Sequence, residues 1–281
     1  MRHILVVALV AACTRSPSAP TKQVAETAHC VAPNEVVANG NCLKLRAFES
    51  ERLSGDPTLV VALHGDAPFS QPSYQYRFAE LVAKRSTNTV AVGLLRPGYT
   101  DAESLRSDGE RGEAVGDNYD APRIETIAAA IRALRSRYAA KRIVLAGHSG
   151  GAAITAKLIA LHAGLVDHAI LVSCPCDIGQ WRADMLEASG YCGFDGDLDA
   201  RSPIDLVNQI PKTTRVDILV GQMDTVTKPA LSRAYADALS ELEKRFRFTV
   251  VDGDHEIFLA EEVLSVATTA VEEVRSPREA K

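Results

Sequence analysis

The chain has 281 residues, 46% of them hydrophobic, and a formal net charge of −5 at pH 7. That apolar content supports one large core without a second domain. The acidic balance, with no basic cluster, argues against a nucleic-acid-binding protein, and no internal repeat is evident.

Met1-Arg2-His3 is a short basic start, and the apolar run Ile4 to Ala12 is too short to span a bilayer as a helix. Residues 1–12 therefore read as an export signal. Val10-Ala11-Ala12-Cys13 resembles the bacterial lipobox, which implies that Cys13 is lipidated and holds the mature protein on a membrane. Ordinary cleavage near Ala12 and a start codon further upstream are the alternatives. Residues 13–29, opening on Thr14, Arg15 and a stretch rich in Ser, Pro, Ala and Thr, read as a flexible tether.

Next come Cys30 and Cys42, which bracket an Asn39-Gly40 turn signal between Glu35-Val36-Val37 and the run Leu43 to Phe48. A disulfide-stapled hairpin is expected. Strands are expected near Leu59 to Ala62, Thr89 to Leu94, Arg142 to Ala146, Ala169 to Val172, Val216 to Val220 and Phe246 to Val251. Helices alternate with them. One opens at Pro122 and repeats Ile124, Ile127, Ile131 and Leu134 at helical spacing; others run over Gly151 to His162, Pro229 to Glu243 and Glu256 to Val274. The pattern is that of an α/β protein with a mostly parallel sheet covered on both faces.

Setting aside Cys13 leaves five cysteines, an odd number. Among Cys174, Cys176 and Cys192 one pair, Cys176 with Cys192, is expected to brace the segment of residues 174–211. A zinc site on Cys174-Pro175-Cys176 is disfavoured because the spacing is not CxxC. Asp195, Asp197 and Asp199 imitate a calcium loop, but Ala200 replaces its glycine and Leu206 its bidentate acid. No metal or cofactor is called for.

The chemistry centres on Gly147-His148-Ser149-Gly150-Gly151, between a strand-like run and a small-residue helix. A GxSxG in that setting holds its serine on a strained turn with the hydroxyl exposed. Serine needs a base, and the base needs an orienting acid. Of seven histidines, His3 lies in the export segment and His29 in the tether; His162 and His168 belong to a helix end and a strand approach, and His148 cannot turn back onto Ser149. His64 starts a separate loop. His255, just after the last strand, is the base. Asp224, after the strand ending at Val220, is the acid, preferred over Asp252 and Asp254, which lie too close to His255 in sequence. The order Ser149, Asp224, His255 is the one that accompanies a nucleophile elbow.

From about Thr58 to Val274 the chain resembles the α/β-hydrolase superfamily, in its serine esterase and prolyl-oligopeptidase-like branch. The likeness rests on the elbow and on Leu63-His64-Gly65, Leu95-Arg96-Pro97-Gly98-Tyr99, Ser202-Pro203-Ile204-Asp205 and Gly-x-x-Asp-x-Val at Gly221 to Val226. It implies one α/β-hydrolase domain over residues 30–281, a cap insert at about 174–211, and an oxyanion hole from the backbone N–H groups of Gly150 and Asp66. A bare His-Gly followed by Asp66 replaces the lipase HGGG. The Asp66 carboxylate is expected to point away, since pointing inward it would repel the oxyanion. His64, His148 and Trp181 are candidates for the substrate pocket, Trp181 alternatively being plain packing. The expected activity is hydrolysis of carboxylic esters through an acyl-enzyme; a serine peptidase and a non-catalytic surface-binding lipoprotein are the alternatives. The partners implied are a small ester or short peptide and a membrane, with no nucleic acid.

Overall fold

Aliphatic runs without polar alternation become strands buried on both faces. In the computed structural model, which describes residues 30–67, 70–112, 119–196, 198 and 200–275, β3 (Thr58–Leu63) and β4 (Thr89–Leu94) are buried at every position. With them run β5 (Arg142–His148), β6 (His168–Val172), β7 (Arg215–Gly221) and β8 (Arg245–Val251). A hairpin of β1 (Glu35–Ala38) and β2 (Asn41–Glu49) precedes them. The eight strands form one sheet in the order β1-β2-β4-β3-β5-β6-β7-β8. β1 and β2 pair antiparallel, as do β2 and β4, and all pairs from β4 to β8 are parallel. The mostly parallel α/β sheet expected from the sequence is the one found.

Alternation along each strand assigns side chains to two cores. Leu59, Val61 and Leu63 pack with α2 (Ala121–Arg137), α3 (Gly150–Leu161) and α5 (Pro229–Glu241). Val60 and Ala62 face α1 (Tyr74–Arg85) and α6 (Glu261–Arg275). Helix α2 begins as its sequence dictates: the Asp120 carboxylate accepts from the Arg123 N–H, and Pro122 sits in the first turn. Helix α1 was not among the expected elements. The last helix starts later than its periodicity suggests, because Ile257–Leu259 form a separate 3-10 turn before Glu261.

Between β6 and β7 the chain forms α4 (Ile178–Ser189) and 3-10 turns at Cys192–Phe194 and Pro203–Gln209. Helix α4 is capped by Asp177 and stopped by Gly190 in the left-handed region. The Cys30–Cys42 disulfide is present. The expected Cys176–Cys192 pair is not: Cys174 bonds to Cys176, two residues away. The chain bends directly after β6, at Ser173, which brings the Cα atoms of Cys174 and Cys176 to 5.1 Å of each other. Residues 1–29, with Cys13, His3 and His29, lie outside the described residues, as do Asp197 and Asp199. Among the described residues no helix is long and apolar enough to cross a membrane.

Candidate active site

Ser149 stands at the turn from β5 into α3 with φ 52° and ψ −122°, a conformation that L residues avoid. The turn closes only because its neighbours are small: a Cβ on Gly147 would lie 2.2 Å from the Gly151 carbonyl oxygen. The Ser149 N–H donates to the Val172 carbonyl at 2.8 Å, and its own carbonyl accepts from the Ala152 N–H, so the residue is fixed from both sides. The turn projects it over the C-terminal ends of the strands.

The other two predicted residues meet at the same rim. His255 Nδ1 lies 2.9 Å from Asp224 Oδ2 and 3.1 Å from Oδ1. A carboxylate only accepts, so Nδ1 carries the proton and Nε2 keeps a free lone pair. Asp224 is fully buried at its side chain and held by three further donors, the N–H groups of Val226 and Thr227 and the Thr227 hydroxyl at 2.7 Å. Burial alone would raise its pKa; the bonds from His255 and Thr227 outweigh it and hold the carboxyl below its ordinary value. Ser149 and His255 line one cavity of about 840 Å³. Among the described residues no hydrogen bond joins the Ser149 hydroxyl to His255, a looseness common in unliganded sites of this type.

Gly65 places the loop after β3 against the serine, since a Cβ added there would be 2.9 Å from Ser149 Cβ. Asp66 does not point away as expected. Its carboxylate leans on the start of α3, where a Cβ on Gly150 would come within 2.2 Å of Oδ1. Its charge is compensated by Arg96 Nη1 at 3.0 Å, a guanidinium with no solvent exposure, and by the Tyr119 hydroxyl. Repulsion is readable from the sequence, whereas Arg96 and Tyr119 become partners of Asp66 only in the fold.

His64 is not a pocket residue. It is fully buried; Nε2 accepts from the Arg96 N–H at 3.1 Å, which leaves Nδ1 to donate to the Gly65 carbonyl at 2.7 Å. Burial, reinforced by the Arg96 charge, keeps it neutral, with its pKa well below the ordinary value. His148 does line the cavity, with Nδ1 2.8 Å from the Tyr74 hydroxyl and Nε2 2.9 Å from the His255 carbonyl oxygen. Burial and the adjacent His255 lower its pKa to about 3.

Trp181 on α4 serves both roles weighed for it. Its ring lines the cavity with Met185 and Phe194, edge-on to Phe194 at 5.7 Å, and its N–H donates to the Val226 carbonyl, tying the inserted segment to the Asp224 loop. Tyr74, Ser173 and Thr227 were missed by sequence reasoning. Ser173, in the left-handed region at φ 51°, donates to the His255 carbonyl at 3.2 Å. Tyr74 and Ser173 take their roles from His148 and His255, 74 and 82 residues away, whereas Thr227 bonds Asp224 only three residues before it.

A family model described as "Alpha/beta hydrolase family" matches residues 60–267. The chain belongs to that family. No curated protein matches this alpha/beta hydrolase. Among solved structures it is similar to the esterase Pf2001 of Pyrococcus furiosus, at TM-score 0.65 and 15% identity, covering 86% of this chain and 89% of that one. It is also similar to Est1E from Butyrivibrio proteoclasticus, solved with ferulic acid bound, at TM-score 0.63 and 16% identity over 85% of this chain and 96% of the other. A third likeness is to proline iminopeptidase of Mycobacterium smegmatis, at TM-score 0.64 and 13% identity over 85% and 97% of the two chains. Identities this low establish the shared fold of these esterases and peptidases and leave the hydrolase's own chemistry to its residues.

Proposed function

We propose that the protein is an exported serine hydrolase acting on carboxylic esters, with Ser149 as nucleophile, His255 as general base and Asp224 as its orienting acid. One observation carries the reading: an imidazole bonded at Nδ1 to a buried carboxylate shares a cavity with a serine held on a strained elbow. The Ser149 oxygen bonds to the ester carbonyl carbon while its proton passes to His255 Nε2. The carbonyl oxygen becomes an oxyanion held by the Gly150 and Asp66 N–H groups, a contribution of about 3 kcal/mol per donor. Collapse breaks the bond to the alcohol, which leaves with the proton from His255. Water then repeats the sequence on the acyl-enzyme, releasing the acid and restoring Ser149.

Trp181, Met185, Phe194 and Val226 give the cavity an apolar wall suited to an uncharged hydrophobic group of the substrate. Peptide hydrolysis is the second reading, favoured by one feature: Glu256, next to the base, lines the cavity and offers a carboxylate to a substrate ammonium. Lipid attachment at Cys13 belongs to the proposal and rests on the sequence of residues 1–13.

A fluorophosphonate probe tests the chemistry. Labelling of the wild type that is lost in Ser149→Ala is expected; folded protein that does not label, or labels equally in the variant, supports a non-catalytic binding protein. Comparing short esters with short peptides separates the two activities. Palmitate incorporation that disappears in Cys13→Ser tests the anchor.

A further inference from the structure

Buried polar groups whose partners can act in one direction alone fix the direction of every bond between them. Such a chain runs beside the serine. At one end is the Gly65 N–H, which can only donate, 2.5 Å from the Tyr74 hydroxyl. At the other is the His255 carbonyl, which can only accept, 2.9 Å from His148 Nε2. Nε2 of His148 therefore carries the proton and Nδ1 is an acceptor, so the Tyr74 hydroxyl, 2.8 Å away, must donate to it. That leaves the Tyr74 oxygen to receive the Gly65 proton. No group in the sequence Gly65, Tyr74, His148, His255 can reverse without stranding a buried neighbour.

We infer that Tyr74 and His148 are positioning residues that lock the loop of the oxyanion donor and the loop of the base to the nucleophile elbow as one unit. The inference rests on the hydrolase reading above. His148 is the residue before Ser149, so a single side chain ties the nucleophile's own backbone to both flanking loops. The Gly65 N–H is consumed by Tyr74, which turns the following residue, Asp66, into the donor available to the substrate. The His255 carbonyl, which accepts from His148 and Ser173 at once, sets the height of the imidazole above the sheet. Ring packing gives the chain its rigidity: Tyr74, His148 and Phe258 meet pairwise at 5.4 to 5.8 Å, and Phe258 stacks on Phe78 of α1 at 4.3 Å. Neither Tyr74 nor His148 is assigned any contact with reacting atoms.

The decisive variants are Tyr74→Phe and His148→Phe, which keep a ring and remove the relay. Each is expected to lower kcat roughly 10- to 100-fold with KM within about threefold, because misplacement by an ångström acts on the transition state more than on binding. The double variant should be no slower than the slower single variant. Imidazole nitrogen NMR provides a readout that mere packing would not move: His148 should be the Nε2–H tautomer in the wild type, and its Nδ1 resonance should shift to that of an unbonded acceptor in Tyr74→Phe. A folded Tyr74→Phe enzyme with wild-type kcat, multiplicative losses in the double variant, or an Nδ1–H tautomer at His148 would each overturn the relay while leaving the hydrolase reading intact. A wild-type protein that turns over no ester or peptide and is not labelled at Ser149 would instead overturn the hydrolase reading, and the catalytic role of the relay with it.

Discussion

Two imidazole–carboxylate pairs sit at opposite ends of the parallel sheet, and they differ in what surrounds them. At the C-terminal rim, His255 bonds Asp224 at 2.9 Å, with the ring edge open to a cavity that Ser149 also lines. Toward the other end, His168 at the start of β6 bonds Asp217 of β7 at 2.8 Å, just as tightly. His168 is 1% exposed, and its surroundings are ionic: Arg215 reaches Glu273 at 2.7 Å, and Arg247 bridges Glu273 and Asp217. No serine or cysteine shares that cluster's cavity among the described residues. On the proposed function, a hydrogen-bonded histidine is thus reactive by virtue of the strand end it occupies and the serine beside it, and structural otherwise.

Substitutions at the two pairs should break apart accordingly. Ser149→Ala and His255→Gln are expected to reduce kcat on the order of a million-fold, measured on a short ester, against less than about threefold for His168→Gln. Asp224→Asn should cost roughly ten-thousand-fold in kcat by permitting the wrong tautomer of His255. Asp217→Asn should leave kcat near wild type and instead lower unfolding stability in urea by about 3 kcal/mol, the cost of stranding a buried partner. If Asp217→Asn lost activity at full stability, the distinction between the two ends would fail.

Protonation sharpens the contrast further. His148, with a folded pKa of about 3 against an ordinary 6.5, and His64, likewise lowered, bind fewer protons folded than unfolded. Stability therefore rises with pH across that interval and is lost as pH falls below about 6.5, by at most about 1.4 kcal/mol per pH unit for each ring. Asp224 behaves differently: with its folded pKa lowered below 3.8, its contribution is intact above that value and is lost only as pH falls through the folded pKa. Urea midpoints at pH 7 and pH 5 should differ, and His148→Gln should flatten the difference. Equal slopes in wild type and variant would show that His148 is not held neutral.

Much of the fold was legible because its signals are local. The buried runs of β3 to β7 and the Pro122 helix need no partner to be recognised, and the elbow carries its own glycines. Helix α1 went unrecognised, although Tyr76, Phe78, Ala79, Val82 and Ala83 recur at helical spacing. The juxtaposition of Asp224 with His255 followed from placing each at a strand end. What escaped was long-range polar pairing. The orientation of Asp66 is decided by Arg96 and Tyr119, 30 and 53 residues away, and the task of Tyr74 by a histidine 74 residues on. Cys174 and Cys176 were mispaired because their bond depends on a backbone bend that spacing does not disclose.

The Cys30–Cys42 bridge has a mechanical consequence. Strand β1 is the outermost of the sheet and is held through β2 alone among the strands. A pull applied ahead of Cys30 is delivered by the sulfur link straight to Cys42 in β2, which is hydrogen-bonded to β4, and so bypasses the weak edge ribbon. Tension on the leading chain is thereby carried into the body of the sheet without peeling its border.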